Sequence, residues 1–271
     1  MTAPTETTPD AVSGKDLRGI ARTGHVHFMG VGGAGMCALA ELFAHGEAEV
    51  SGCDLHPGAS TDSLREMNVP IYTGHDPSHM EHAAALVISA AVPGDHPEIL
   101  EAVRLGIPVF KRAKALGQWV NQGRVLAVAG THGKTTTTAM AAEILTVAGL
   151  DPTGLVGGRV PSWKGNLRRG GELYVVEADE YDRSFLELQP TVAIVTSVEA
   201  DHLDTYGGLE GVAAAFHEFT FDPRHHPIPL GPFFKVGQYR PHLLRAGADH
   251  DFCFDHLHLN LTILYILLIT I

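Results

Sequence analysis

The stretch HVHFMGVGGAGMCALA, His25 to Ala40, decides the fold. His25 to Met29 alternates as a short strand, Gly30 to Gly35 is a glycine turn, and Met36 to Ala44 has the composition of a helix. VLAVAGTHGKTTTTAM, Val125 to Met140, repeats that order: a strand, a second glycine turn, then a helix from Lys134 to Ala148. Around the first stretch, Glu49 to Cys53 (closed by Asp54), Leu86 to Ser89 and Ile107 to Phe110 read as strands, with a helix near Pro97 to Leu105. Around the second, Tyr174 to Glu177 and Val192 to Thr196 are strands and Leu209 to Phe219 is a helix. Strands that alternate with helices build parallel sheets. The expected fold is α/β: a Rossmann-like N-terminal domain, then a P-loop α/β ATPase-like domain, incomplete at the C-terminus. The expected boundaries are a flexible lead over 1–23, domains over 24–120 and 121–221, and an atypical tail over 222–271.

The 271 residues are 45% hydrophobic and 18% charged, an ordinary globular composition. A net charge of −12 excludes a general binder of nucleic acid or anionic membranes, while leaving room for a local basic loop. Three cysteines, Cys37, Cys53 and Cys253, are too few for a disulfide framework and fit a reducing, cytoplasmic setting. The polar start, MTAPTETTPD, lacks a signal core. Leu257 to Ile271 is apolar but shorter than the ~20 residues of a spanning helix, so no membrane insertion is expected.

Residues 222–271 differ from the rest. They contain no Glu, four acidic and four basic residues, and six of the 17 histidines, so all of the net charge lies in the first 221 residues. The segment has neither helical nor strand periodicity. Such a break fits a C-terminal region lost or replaced, a genuine short tail being the alternative. Its apolar end is a β-prone segment of the kind that promotes aggregation.

Gly30-Val31-Gly32-Gly33-Ala34-Gly35 matches G-x-G-x-x-G between a strand and a helix, with Asp54 ending the next strand. Glycines there allow a tight turn and bring backbone N–H groups close to a phosphate at a helix N-terminus. A nicotinamide or flavin dinucleotide and a nucleotide-diphosphate sugar both suit it. Gly130-Thr131-His132-Gly133-Lys134-Thr135-Thr136 departs from the strict P-loop pattern, because Val128 stands where the first glycine belongs. The working parts remain: Gly130 and Gly133 expose donors, Lys134 reaches the β- and γ-phosphates, and the Thr135 hydroxyl suits Mg2+. Two acidic clusters, Glu177-Ala178-Asp179-Glu180-Tyr181-Asp182 and Glu199-Ala200-Asp201-His202-Leu203-Asp204, follow strands on the same side of the sheet. Hard Mg2+ takes such oxygens, and ligands of open α/β sheets bind at the carboxyl ends of strands.

Five motifs in order, HFMGVGGAGM, SAAVPGDHPEI, GTHGKTTTT, EADEYDRSFL and EADHLDTYG, closely resemble the Mur ligases of bacterial cell-wall synthesis. The resemblance runs from about His25 to Phe219. It implies ATP-dependent ligation in peptidoglycan precursor synthesis, and the form of the first and fourth motifs favours the alanine-adding type. The substrates implied are UDP-N-acetylmuramate and L-alanine, with ATP and Mg2+ as cofactors. By the same analogy Gly30, Gly32, Gly33 and Gly35 approach the UDP pyrophosphate, with Asp54, Ser89 and His96 nearby. Gly130 to Thr136 hold ATP, and Lys134 stabilises the migrating phosphoryl group. Thr135 and Glu177 hold Mg2+, and His202 stands near a second metal. His132 either contacts the sugar or caps its own loop.

Two departures stand out. Ser197 replaces an Asn frequent in the family, a minor change because Ser also donates and accepts. Past Phe221 nothing resembles the family's third domain, which closes over ATP and binds the amino acid. The runner-up is a chain that binds nucleotide or UDP-sugar without catalysis. An NAD-linked oxidoreductase rests on the first glycine loop alone and leaves the second loop and both acidic clusters unexplained.

Overall fold

A computed structural model of the chain describes residues 15–89, 91–199 and 203–221. These fall in one unit, Met1–His225; the second unit, His226–Ile271, and the expectations for the tail lie outside the described residues.

The chain starts with α1 (Leu17–Ala21), β1 (His25–Met29), α2 (Ala34–His45), β2 (Val50–Asp54), α3 (Asp62–Glu66), β3 (Ile71–Thr73), β4 (Ala83–Ile88), α4 (Pro97–Arg104), β5 (Val109–Lys111) and α5 (Arg112–Val120). The strands form a five-stranded parallel sheet in the order β3-β2-β1-β4-β5. β1 is central: Met29 stands opposite Cys53 on one side and Ile88 on the other. Four of its five residues are buried, as expected of a strand covered on both faces. The order reverses between β1 and β4, so the loops leaving those strands diverge and open a crevice.

A second sheet follows: β6 (Arg124–Ala129), α6 (Lys134–Val147), β7 (Thr153–Val160), β8 (Gly165–Arg168), β9 (Leu173–Glu177), β10 (Val192–Val195), α7 (Leu203–Tyr206) and α8 (Leu209–Phe221). Its order is β10-β6-β9-β7-β8, parallel except for the β7–β8 pair. Helix α2 is buried along eight of its twelve residues, from Met36 to Phe43. A helix apolar on most faces has neighbours on most faces. One hydrophobic cluster accordingly joins Phe28, Leu39 and Phe43 of the first half to Leu155, Leu167 and Tyr174 of the second. Among the described residues no helix is long and apolar enough to cross a membrane.

The flexible lead needs correction in its last part. Leu17–Ala21 is helical, and Leu17 is completely buried. Its N–H donates to Gln118 Oε1 at 2.7 Å, Arg18 lies over the Trp119 ring, and Arg18 Nη2 meets Glu172 Oε1 at 2.6 Å. A single helical turn leaves no periodic signature; these partners, a hundred and more residues away, hold it in place.

Gly117 in α5 makes a testable contact between the halves. A Cβ there would run into the Glu187 carbonyl, which also accepts from Asn121 Nδ2 at 2.9 Å. In an open helix Gly→Ala gains about 1 kcal/mol. Here overpacking reverses the sign, and Gly117→Ala should cost about 1–3 kcal/mol in chemical denaturation. An unchanged or higher midpoint would show that the backbone around Glu187 yields freely.

Candidate active site

Beyond β1 the backbone curls at once: the N–H groups of Gly30 and Val31 donate to the Cys53 carbonyl at 2.8 and 3.1 Å. Gly30 adopts φ +81, a region that favours glycine. Gly32 donates to Asp54 Oδ2 at 2.9 Å, and a Cβ on Gly32 would lie 2.8 Å from that carboxylate. Gly33 caps α2. A Cβ on Gly35 would lie 3.2 Å from Arg112 Nη1, so the turn opening α2 faces a guanidinium. Ser89 follows β4 across the crevice and faces Gly30. The structure thus gathers Gly30, Gly32, Gly33, Gly35, Asp54 and Ser89 where the strand order reverses. His96 is engaged differently: its Nδ1 caps α4 by accepting the Glu98 N–H at 3.3 Å, and its ring stands edge-on to His75.

The second loop leaves β6, a strand of almost unbroken burial. Gly130 has φ +131, with the Thr196 hydroxyl filling the place of a Cβ, and Gly133 caps α6 with φ +80. Ser197 pins the loop to the end of β10: its carbonyl accepts the Thr131 N–H at 3.0 Å and its hydroxyl accepts the His132 N–H at 3.0 Å. The serine therefore supplies the loop with both an acceptor carbonyl and an acceptor side chain. Anchoring at His132 is done by its backbone, while its ring stays 71% exposed with Nε2 3.5 Å from Glu199 Oε2. Thr136, in the first turn of α6, is exposed.

Lys134 folds back over the loop. Its Nζ donates to the Gly130 carbonyl at 2.7 Å and to Glu180 Oε1 at 2.9 Å. Glu180 is buried, and its Oε2 has no hydrogen-bond partner among the described residues. Such an acceptor is costly to leave unmet, and the same carboxylate's Oε1 already meets the loop's lysine. Thr135 Oγ1 donates to Glu177 Oε2 at 2.9 Å, and the same oxygen accepts the Gly157 N–H at 2.7 Å. The donors gathered here are hard oxygens, the kind Mg2+ prefers. His202, with Ala200 and Asp201, lies outside the described residues.

Two residues absent from the sequence-derived site belong in this description. Glu180 sits in the acidic cluster, but only the fold shows it pairing with Lys134. Arg112 begins α5 and reaches Asp179 at 3.7 Å, so one guanidinium borders both the first glycine turn and the acidic end of β9. The cleft between the sheets is lined by Gly35, Leu39, Arg112, Gly157, Glu177 and Asp179. No local pattern marks Arg112, since its neighbours in space are 67 or more residues away in sequence.

Residues 25–124 match the family model described as Mur ligase family, catalytic domain, and residues 128–228 match the Mur ligase middle domain. A Bordetella pertussis UDP-N-acetylmuramate–L-alanine ligase is 49% identical over 201 residues, covering 73% of this chain and 43% of that protein. A Burkholderia cenocepacia protein of the same name is 46% identical over 198 residues, covering 72% and 43%. The chain thus spans about two fifths of the length of these curated relatives. Among solved structures, UDP-N-acetylmuramate–alanine ligase from Thermotoga maritima superposes with a TM-score of 0.68 at 32% identity, over 72% of this chain and 46% of that one. A UDP-N-acetylmuramate:L-alanyl-γ-D-glutamyl-meso-diaminopimelate ligase from Neisseria gives 0.65 at 32% identity, over 72% and 67%.

Proposed function

The chain belongs to the Mur ligase family, and on that premise we propose that it serves the ATP-dependent ligation of L-alanine to the carboxylate of UDP-N-acetylmuramate. One observation carries the proposal beyond family membership: Lys134 Nζ, Thr135 Oγ1, Glu177 and the buried Glu180 converge on a phosphate-type loop at the carboxyl end of the second sheet. In this reading residues 24–120 hold the UDP-sugar and residues 121–221 hold ATP, in the cytoplasm, as part of peptidoglycan precursor synthesis.

The muramoyl carboxylate attacks the γ-phosphorus, ADP leaves, and an acyl phosphate forms. The alanine amine then attacks the acyl carbon, loses a proton and expels inorganic phosphate. Catalysis of this kind needs positioning and charge stabilisation rather than covalent participation by the protein. The N–H groups of the Gly130–Lys134 turn and the α6 N-terminus receive the phosphates. Lys134 leaves Glu180 to meet the charge on the γ-phosphoryl group. Thr135 and Glu177 would hold Mg2+, which when bound neutralises charge across the β- and γ-phosphates. His202 is assigned beside a second metal by analogy, and Gly30, Gly32, Gly33, Gly35, Asp54, Ser89 and His96 are assigned to the UDP-sugar.

The test is ADP release by the full chain with ATP, Mg2+ and UDP-N-acetylmuramate, with and without L-alanine. Release that requires both UDP-N-acetylmuramate and alanine is the expected result. Tight ATP–Mg2+ binding by a folded chain that releases no ADP would restrict the reading to nucleotide binding.

A further inference from the structure

On the face of the first sheet covered by α4, four side chains from distant parts of the chain turn toward one point. They are His27 from the middle of β1, Cys53 from β2, His79 from the segment before β4, and Glu98 from the first turn of α4. One ligand atom from each lies within 4.8 Å of all the others. His27 Nε2 is 3.2 Å from Cys53 Sγ, which is 3.5 Å from both Glu98 oxygens; His79 Nδ1 is 2.6 Å from Glu98 Oε1. His27, Cys53 and Glu98 are completely buried, and the His79 side chain is 12% exposed. His75 borders the group, with Nδ1 3.2 Å from Cys53 Sγ and 3.4 Å from Glu98 Oε2.

The geometry points to a structural zinc site formed by His27, Cys53, His79 and Glu98. Tetrahedral Zn2+ binds nitrogen at about 2.0–2.1 Å and sulfur at about 2.3 Å, which separates neighbouring ligand atoms by about 3.3–3.7 Å. The sulfur already stands near those separations from an imidazole and a carboxylate, the His79–Glu98 pair must part, and no pair of ligand atoms is more than 4.8 Å apart. A thiolate, a carboxylate and two neutral imidazoles balance a divalent ion, and this donor set selects zinc over magnesium or calcium. The outer shell is also present: Ser51 Oγ lies 2.7 Å from His27 Nδ1 and directs Nε2 inward, while the Asp76 N–H donates to Glu98 Oε1 at 3.0 Å.

The ligase reading makes no use of these side chains, and their test needs no activity. Cys53 immediately precedes Asp54, so an ion here would fix the end of β2 that supports the first glycine turn.

The full chain is titrated with Co2+, whose thiolate bond gives a charge-transfer absorption, and then with Zn2+ as competitor. One equivalent should bind with that absorption and be displaced by Zn2+. Cys53→Ser should abolish it, whereas Cys37→Ser and Cys253→Ser should keep it. His79→Ala should weaken binding about 100-fold with the sulfur band still present at saturation; it serves where Cys53→Ser fails to fold. A folded chain that gives no thiolate band with stoichiometric Co2+, or a band that survives Cys53→Ser, would reduce the group to a hydrogen-bonded core cluster and overturn the assignment.

Discussion

Lys134→Ala should lower alanine-dependent ADP release by about 1,000-fold or more while leaving UDP-sugar binding within a fewfold of the parent chain. The size follows from the proposed role. A single cation beside the migrating phosphoryl group acts chiefly in the transition state, in a site where little water screens it. Yet the substitution also does something unrelated to catalysis. Lys134 Nζ is the cation 2.9 Å from Glu180, whose side chain is only 4% exposed. Removing one member of a buried pair leaves an uncompensated charge and should cost about 3 kcal/mol of stability. The double variant Lys134→Ala/Glu180→Gln separates the two effects. It should regain most of the lost stability, read as the denaturation midpoint, without regaining turnover. Recovery of activity along with stability would show that Lys134 acts by holding the fold. Equal loss of ATP and UDP-sugar binding would overturn the assignment of the two halves.

The same lysine illustrates what the chain discloses in one dimension. Features that depend on a few consecutive residues are legible: both glycine turns, the strands before them and the helices after them lie where local pattern places them, with ends shifted by a residue or two. Gly130 and Gly133 adopt the positive φ values that a turn against a helix N-terminus demands. Pairings across the fold are another matter. Lys134 and Glu180 are 46 residues apart, and Arg112 meets Asp179 across 67. β7, TGLVGGRV, escaped the reading because three glycines dilute the strand signal. It forms because β9 and β8 flank it, and Gly157 lies so close to Glu177 that a Cβ there would sit 3.2 Å from the carboxylate. The imidazole, thiol and carboxylate group beneath α4 was hidden for the same reason. Its members are 19 to 45 residues apart where their contacts are direct, and parallel strands with crossover helices alone bring them together. Spacing along a chain marks a site only when one turn or one helix carries its ligands.

Glu177→Ala should weaken ATP binding in the presence of Mg2+ by about 10- to 100-fold and leave binding in EDTA almost unchanged. One carboxylate oxygen, Oε2, accepts from both the Thr135 hydroxyl and the Gly157 N–H. Glu177 therefore has two separable jobs in the proposed site: it would supply a hard anionic ligand to the metal, and it ties the first turn of α6 to β7. Alanine removes both. Glu177→Gln keeps a carbonyl oxygen for the two donors and removes the negative charge, so it should preserve stability and still lose most of the Mg2+-dependent gain in affinity. Isothermal titration with ATP at several Mg2+ concentrations reads the difference directly. If glutamine restores Mg2+-dependent affinity to the parent value, the charge is not a metal ligand and Glu177 serves only to join α6 to β7. If alanine weakens binding equally with and without Mg2+, the loss comes from a displaced Thr135 and the metal must be held elsewhere, with Glu180, whose buried Oε2 has no partner among the described residues, the next carboxylate to replace.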